Sequence, residues 1–260
     1  MEARRQVIQR ELLWHEQESH RRHRLDSLLY DPPAFEDLVE QSIGFLQIRP
    51  GERVLDIGCG EGKETVNLAS RGLFVIGTDL SMTQLIRARE LIQKEYPAAK
   101  FSLLQANAER LPFANSSFRI IHGKAILHHL DLDISARETR RLLTARGRAT
   151  FAEPLARHLI IWLGRRLTPR LRTRDEQPVE LRDLEYFGQL FTNPKLQTYY
   201  ITAPLAYVFR LLPKGEQLFS AIYSQLSRID QMLLKRFKVL REFAWYAAIH
   251  VQAGTNRISE

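Results

Sequence analysis

The chain has 260 residues, a formal net charge of +8 and a single cysteine, Cys59, so an internal disulfide is excluded and a reducing, cytoplasmic location is expected. No apolar run reaches the roughly 18 residues of a membrane-spanning helix, and the N-terminus lacks the apolar core of a signal peptide. The positive net charge indicates an anionic partner, either nucleic acid or a membrane surface. The alternative is that the arginines are simply solvent-exposed surface residues.

The N-terminal quarter of the sequence predicts two helices. Residues 1–31 are polar and helical in character, and the prolines of "DPPAF" at residues 31–35 end this helix because proline disfavours a helical residue before it. Residues 35–46 place apolar side chains at helical spacing. A turn follows at Arg49–Glu52.

From Arg53 onward, strands and helices alternate. The predicted strands cover residues 53–58, 73–79, 101–107, 118–127 and 148–154, and the predicted helices cover 63–72, 81–97 and 134–147. Such alternation predicts a parallel sheet with helices on both faces. Ligands of these sheets bind at the carboxyl ends of the strands, which is where the glycines after the first strand are expected.

Beyond Pro154 the pattern changes. Residues 155–174 interleave apolar clusters with six arginines and contain no acid. Two further strands are predicted at residues 196–202 and 243–253, with a long helical stretch at roughly 206–238 between them. We expect one domain, in which residues 1–48 form a helical cap, 49–154 the cofactor-binding core and 155–260 the substrate-side helices and last strands.

The first glycine turn indicates the type of ligand. The glycines of Gly58–Gly62 have the spacing G-x-G-x-G, and Lys63 occupies the position where a dinucleotide-binding motif has its third glycine. Asp56 and Glu61 would repel a pyrophosphate but not a ligand with an ammonium and a sulfonium group. Asp79, at the end of the second strand, is placed to accept hydrogen bonds from ribose hydroxyls.

Four stretches together, "VLDIGCGEG", "GTDLS", "ANAERLPF" and "FRIIHGKAILHHL", resemble in order and spacing the signatures of class I S-adenosylmethionine-dependent methyltransferases of the small-molecule type. The resemblance covers roughly Gly51 to Pro154. It implies S-adenosylmethionine as cofactor and a Rossmann-like, seven-stranded, mostly parallel sheet with helices on both faces. An N-terminal helical segment and a helical insertion near the C-terminus complete the expected α/β fold.

The resemblance also implies which residues hold the cofactor. The methionine end is assigned to Asp56 and to the backbone of the turn residues Gly58, Cys59 and Gly60. The ribose is assigned to Asp79. The faces of the adenine are assigned to Leu80 and Met82, and its edge is assigned to Asn107 and Ala108. Three positions depart from the family pattern. Asn107 and Arg119 each replace an acid, and Lys124 occupies a position where small residues are common.

Two residues are candidates for acid–base chemistry. His129 follows the fourth strand and has Asp131 nearby, and Glu153 ends the fifth strand inside the expected acceptor pocket. The alternative for each is a purely structural role. Cys59 is assigned a backbone role only, and the sequence has no Cys/His spacing that predicts a metal site.

The acceptor is less well defined than the cofactor. We expect O- or C-methylation of a small, partly lipophilic molecule in a biosynthetic role, bound in an apolar pocket where Glu153, His129 and Tyr200 supply polar groups. Residues 155–174, with Ile161 and Trp162, suggest peripheral contact with the inner, anionic membrane face, or alternatively an ordinary helix with solvated arginines. An RNA methyltransferase and a non-catalytic partner protein remain alternatives, and the oligomeric state is left open.

Overall fold

The computed structural model describes residues 4–14, 16, 35–159, 162, 166, 179–213 and 215–254. Residues 4–14 form helix α1. Further helices whose bounds lie within the described residues are α2 (Glu36–Leu46), α3 (Lys63–Ser70), α4 (Met82–Glu95), α5 (Leu132–Leu142), α6 (Leu181–Gly188) and α7 (Glu216–Arg236). The strands are β1 (Arg53–Ile57), β2 (Phe74–Asp79), β3 (Lys100–Gln105), β4 (Phe118–Lys124), β5 (Leu143–Pro154), β6 (Thr192–Tyr199) and β7 (Tyr246–Gln252). Three 3₁₀ segments cover Leu127–His129, Ala203–Leu211 and Lys238–Phe243.

The seven strands form one sheet in the order β3-β2-β1-β4-β5-β7-β6. Strands β1 to β5 are parallel, and β7 is antiparallel to both of its neighbours, β5 and β6. The expected fold class is therefore confirmed. The carboxyl ends of β1, β2, β4 and β5 and the start of β7 lie at one edge of the sheet, which we call the carboxyl edge.

Local signals set the helix boundaries in the core. The Ser81 side chain accepts a hydrogen bond from Gln84 N and caps α4, which ends at Glu95, before Pro97. The Asp131 side chain accepts from Ile134 N in the same way and starts α5. Both caps sit in loops at the carboxyl edge, so they also fix the chain that surrounds the site.

The largest differences between the predicted and the observed strand boundaries lie at the starts of β5 and β6. Strand β5 begins at Leu143 rather than at residue 148, because Phe118 pairs with Leu143 before a register shift separates that pair from the rest of the ladder. Strand β6 begins at Thr192 rather than at residue 196. It is an edge strand whose first four residues are exposed, so they lack the apolar alternation that a buried strand shows.

The C-terminal helical stretch is divided rather than continuous. A 3₁₀ segment ends at Leu211 and α7 begins at Glu216, and Pro213 and Gly215 lie between them. A Cβ added at Gly215 would lie 1.8 Å from the Phe209 carbonyl oxygen, so the chain turns back tightly on the 3₁₀ segment there.

Asp230 fastens α7 to the turn after β6. Its buried carboxylate accepts hydrogen bonds from the backbone amides of Ile201 at 2.8 Å, Thr202 at 2.9 Å and Ala203 at 2.9 Å, and from the Thr202 hydroxyl at 2.8 Å. One side chain therefore supplies the acceptors that the start of the 3₁₀ segment needs.

A group of aromatic rings packs between α2, α7 and the carboxyl edge. We call it the aromatic cluster: Phe35, Tyr200, Tyr207, Phe219, Tyr223, Trp245 and Tyr246. Neighbouring ring centroids lie 4.9–6.1 Å apart, mostly in edge-to-face or tilted arrangements. Trp245 N donates to the Tyr200 carbonyl at 2.7 Å, which ties the start of β7 to the end of β6. Among the described helices, none combines the length and the apolar character that crossing a bilayer requires.

Candidate active site

The glycine turn between β1 and α3 has a backbone that glycine favours. Gly58, Gly60 and Gly62 all have positive φ, at 67°, 51° and 86°. A Cβ at Gly58 would lie 2.6 Å from Ile126, whereas a Cβ at Gly60 would meet nothing within 4 Å. The first glycine is thus required by packing, and Gly60 faces open space that a ligand can enter closely.

Asp79 connects this turn to the start of α4. Its Oδ2 accepts from Gly60 N at 2.9 Å and its Oδ1 accepts from Ser81 N at 2.9 Å. Burial raises the pKa of Asp79, and these backbone hydrogen bonds oppose the increase. The carboxylate therefore lies beside the open side of the turn with its remaining lone pairs available to ribose hydroxyls.

Asp56 at the end of β1 is more enclosed than the sequence predicted. Its Oδ2 accepts from the Thr65 hydroxyl at 2.7 Å, and its Oδ1 lies 2.9 Å from His122 Nδ1 on the neighbouring strand β4. Burial alone would lower the pKa of His122, but the hydrogen bond and charge of Asp56 outweigh it and raise the pKa. Asp56 thus holds β1, β4 and α3 together, and its direct contact with a methionine end remains a prediction.

A second ion pair lies beside the first. Lys124 Nζ contacts Glu64 Oε1 at 2.6 Å and lies 5.1 Å from the centre of the Phe35 ring. Burial would raise the pKa of Glu64, but the charges of Lys124 and His122 lower it to about 2. Lys124 is therefore engaged within the protein, where it contacts both Glu64 of α3 and Phe35 of the aromatic cluster.

Glu153 at the end of β5 organises the loop after β4. It is fully buried, and its Oε1 accepts from the backbone amides of Ile126 and Leu127, each at 2.8 Å. Its Oε2 lies 2.7 Å from His128 Nδ1. Because a carboxylate only accepts, Nδ1 carries the proton and the lone pair of a neutral His128 ring lies on Nε2.

His129 lies on a different side of this loop. Its Nδ1 is 3.1 Å from Glu11 Oε2 on α1, and its carbonyl oxygen accepts from Arg4 at 3.0 Å. The two histidine rings are close, with centroids 4.1 Å apart. The sequence singled out His129, but the geometry brings His128 rather than His129 to Glu153.

Helix α1 crosses the carboxyl edge. Arg4 forms an ion pair with Glu109 in the loop after β3, and Glu16 accepts from the Ser81 hydroxyl at 3.2 Å and from the Thr83 hydroxyl at 3.1 Å at the start of α4. The helix therefore bridges the loops after β2, β3 and β4, which are the loops predicted to surround the cofactor.

The departures from the family pattern have structural explanations. Asn107 Oδ1 accepts from Glu109 N at 2.9 Å and so closes the turn after β3. Arg119 pairs with Glu52 and donates to the Gln47 carbonyl at 3.0 Å, at the opposite end of β4 from the glycine turn. The predicted adenine contacts of Leu80, Met82 and Ala108 remain predictions.

Other acids and nucleophiles near the turn are compensated or enclosed. Glu61 pairs with Arg87 of α4 at 3.0 Å. Burial raises the pKa of the Cys59 thiol, as do the charges of Asp56 and Asp79, so this cysteine stays protonated. In the described ranges, no group of three or more His, Cys, Asp or Glu side chains is arranged to hold a metal ion.

The residues around the glycine turn fit S-adenosylmethionine. The open side of Gly60 admits a ligand, and Asp79, which borders this space, can accept hydrogen bonds from hydroxyl donors such as those of a ribose. Sequence reasoning missed Glu11, Thr65 and His122, and of the two adjacent histidines after the fourth strand it chose His129 rather than His128. His122 was recognisable as a polar residue within an apolar strand, but its partner Asp56 follows only from the β1–β4 register, in which the two residues are paired.

Residues 54–147 match the sequence model of the methyltransferase domain family. The chain is similar to the methyltransferase GfsG of Streptomyces halstedii, with 36% identity over 126 residues that make up 48% of this chain and 45% of that protein. It is also similar to the 27-O-demethylrifamycin SV methyltransferase of Amycolatopsis mediterranei, with 30% identity over 118 residues, 45% of this chain and 43% of that protein. The chain thus matches less than half the length of either relative.

A solved structure with the same architecture is the phosphoethanolamine N-methyltransferase 2 of Haemonchus contortus in complex with S-adenosyl-L-methionine. It aligns with a TM-score of 0.63 at 19% identity and covers 86% of this chain and 54% of that chain. At this identity the likeness establishes the fold alone.

Proposed function

Because the chain carries a class I S-adenosylmethionine-dependent methyltransferase domain, we propose that it transfers a methyl group to an oxygen or carbon of a small, partly lipophilic acceptor. The observation that carries this proposal is the convergence of three features at one sheet edge. The glycine turn with Asp79, the Glu153–His128 pair and the aromatic cluster all lie at the carboxyl ends of neighbouring strands.

The cofactor, when bound, supplies an electrophilic methyl group on sulfur. Asp79 holds the ribose, and the turn at Gly58–Gly60 lets the backbone approach the methionine portion. The ion pair of Lys124 with Glu64 leaves no net charge beside that portion. Positioning by these groups accounts for most of the rate of an in-line displacement.

His128 is the better candidate for the base than His129 or Glu153. Glu153 accepts hydrogen bonds from two backbone amides and from the His128 ring, so it fixes the orientation of the ring. A neutral His128 can then take a proton from an acceptor hydroxyl at Nε2. This chemistry favours an acidic hydroxyl, such as a phenol or enol, as the methylated group. Glu153 is accordingly a positioning residue in this proposal, and His129 joins α1 to the site.

The acceptor pocket is proposed to border the aromatic cluster. Burial raises the pKa of Tyr200 and of Tyr223, as does the nearby charge of Asp37, so both hydroxyls remain protonated and can donate hydrogen bonds. Rings that present apolar faces with few polar groups suit a small molecule with an apolar body. The surface at residues 155–174, which the sequence linked to a membrane, lies mostly outside the described residues.

The first experiment separates the candidate functions. The protein is incubated with S-adenosylmethionine labelled on the methyl group and either a solvent extract of bacterial lipophilic metabolites or total RNA. Label in the organic phase supports the proposal, and label in RNA would replace it with the RNA alternative. Absence of S-adenosylmethionine binding in calorimetry would instead favour a non-catalytic partner protein.

The second experiment tests the base. With an acceptor fraction that takes up label, His128→Ala should lower the transfer rate by about 10²–10⁴-fold, and His129→Ala should lower it much less. His128→Ala should also abolish the acidic limb of the pH–rate profile while leaving calorimetric affinity for S-adenosylhomocysteine unchanged. An unchanged pH–rate profile in His128→Ala would remove the histidine from the proposed mechanism.

A further inference from the structure

The C-terminal end of α7 and the 3₁₀ segment after it expose an unusual combination of side chains. Four large apolar residues are exposed there: Met232 to 64%, Phe237 to 48%, Val239 to 70% and Phe243 to 48%. Lys235, Arg236 and Lys238 are exposed among them. We call these seven residues the basic apolar patch. They lie within twelve consecutive residues, so they share one small region of the surface.

The apolar side chains of this patch do not serve the core. On α7 the buried side is marked by Phe219, Tyr223, Asp230 and Leu234. At 100° per residue, Met232 points about 180° away from the middle of that side. Ile229, which is also exposed, points within about 60° of the direction of Met232. The structure therefore leaves a second apolar face on the helix without a covering element among the described residues.

The charges of the patch are not neutralised by a described acid, and the Arg236 guanidinium lies 5.6 Å from the centre of the Phe237 ring. Within the described residues, no acid forms an ion pair with Lys235, Arg236 or Lys238. The nearest exposed acids in sequence are occupied elsewhere, because Glu216 pairs with Arg210 at 2.8 Å and Glu242 faces Arg157 at 3.9 Å. A surface that combines apolar side chains with unpaired cations is complementary to the boundary of an anionic bilayer.

The patch lies next to the proposed acceptor site. It leads directly into Trp245 and then into Tyr246, which starts β7, and β7 runs antiparallel to β5. Tyr246 is therefore paired with Pro154, one residue after Glu153, at the carboxyl edge. An acceptor dissolved in a bilayer that contacts the patch would lie close to this edge.

We propose that the basic apolar patch docks the protein on a bilayer that contains anionic lipids, so that a lipophilic acceptor is taken from the membrane. The purpose of the docking rests on the proposed function, but the docking itself does not. A second copy of the chain is a poorer partner, because two such patches would bring like charges together. Nucleic acid is a poorer partner because Met232 and Val239 offer nothing to phosphates.

The test is co-sedimentation of the full chain with vesicles of phosphatidylcholine, with and without phosphatidylglycerol, at low and high salt. Binding should require phosphatidylglycerol and should weaken as salt rises. Val239→Glu should weaken binding about tenfold or more, and so should the double variant Lys235→Gln/Lys238→Gln. The matched control is Ile86→Glu. Ile86 is 53% exposed on α4, and α4 joins β2 to β3 at the other end of the sheet. This variant should bind vesicles like the parent protein.

Several results would overturn the proposal. One is equal binding to vesicles with and without phosphatidylglycerol, and another is loss of binding in Ile86→Glu to the same extent as in Val239→Glu. A dimer that dissociates in Val239→Glu would assign the patch to self-association, and poly-uridylate binding lost only in the lysine double variant would assign it to RNA. Affinity for S-adenosylhomocysteine should be unchanged in all of these variants, so failure of docking leaves the proposed methyl transfer standing.

Discussion

Replacing Asp79 by alanine tests the cofactor site most directly. Each carboxylate oxygen already accepts one backbone amide, from Gly60 and Ser81, which fixes the group beside the open side of the turn. Two ribose hydroxyls would each donate to a charged acceptor, and such hydrogen bonds contribute about 1.5–3 kcal/mol each. Their joint loss of about 3–6 kcal/mol corresponds to roughly 10²–10⁴-fold weaker binding of S-adenosylhomocysteine.

Calorimetry with S-adenosylhomocysteine and with its 2′-deoxy analogue measures this loss. The parent protein should bind the analogue more weakly, and Asp79→Ala should no longer distinguish the two ligands, because the partner of the missing hydroxyl is absent. Asp133→Ala is the matched control, since Asp133 is an exposed carboxylate paired with Arg137. Asp79→Asn keeps one oxygen acceptor and serves if the alanine variant unfolds. Full discrimination between the two ligands in both Asp79 variants would refute the ribose assignment.

Three further predictions follow from the buried and bridging groups. Lys124→Met should lower the free energy of unfolding by about 2 kcal/mol, because it leaves the Glu64 carboxylate without its cationic partner. The double variant Lys124→Met/Glu64→Met should recover most of the lost free energy, as measured by urea denaturation. Burial lowers the pKa of His250 to about 4, so the unfolded state takes up a proton at a higher pH than the folded state does. The free energy of unfolding should therefore be highest above pH 6.5 and fall by up to about 3 kcal/mol as the pH falls towards 4. His250→Asn should remove this pH dependence in thermal unfolding. Glu11→Gln should weaken the contact of α1 with His129 and speed dissociation of S-adenosylhomocysteine severalfold in stopped-flow; an unchanged rate would contradict a covering role for α1.

The parts of the fold that the sequence predicted are those with a local signal. The strand that begins at Arg53, the helix that begins near Ser81 and the glycine turn each depend on a few consecutive residues, and each is present in the structure. The exposed start of β6 at Thr192 carries no apolar alternation, and its pairing depends on β7, about fifty residues later. The local sequence pattern therefore could not locate the start of β6.

In the candidate site, too, the features with a local sequence signal could be predicted, and those that depend on distant pairing could not. Asp79 was identified from its place at the end of a strand, and the structure puts it against the turn. Which histidine meets Glu153 could not be decided, because His128 and His129 are adjacent and only the 3₁₀ turn at Leu127–His129 sets their directions. The Asp56–His122 contact likewise depends on strand register rather than on spacing.

The hydrogen bonds of Asp230 also define where this chain can be recombined with others. A chimaera that joins two sequences between Ala203 and Asp230 would separate the carboxylate from the amides it serves. The carboxylate, only 1% exposed, would then be buried without partners at a cost on the order of 3–5 kcal/mol. Junctions placed before Ile201 and after Asp230 keep the carboxylate and these amides in one transferred segment, so a chimaera made there avoids that penalty.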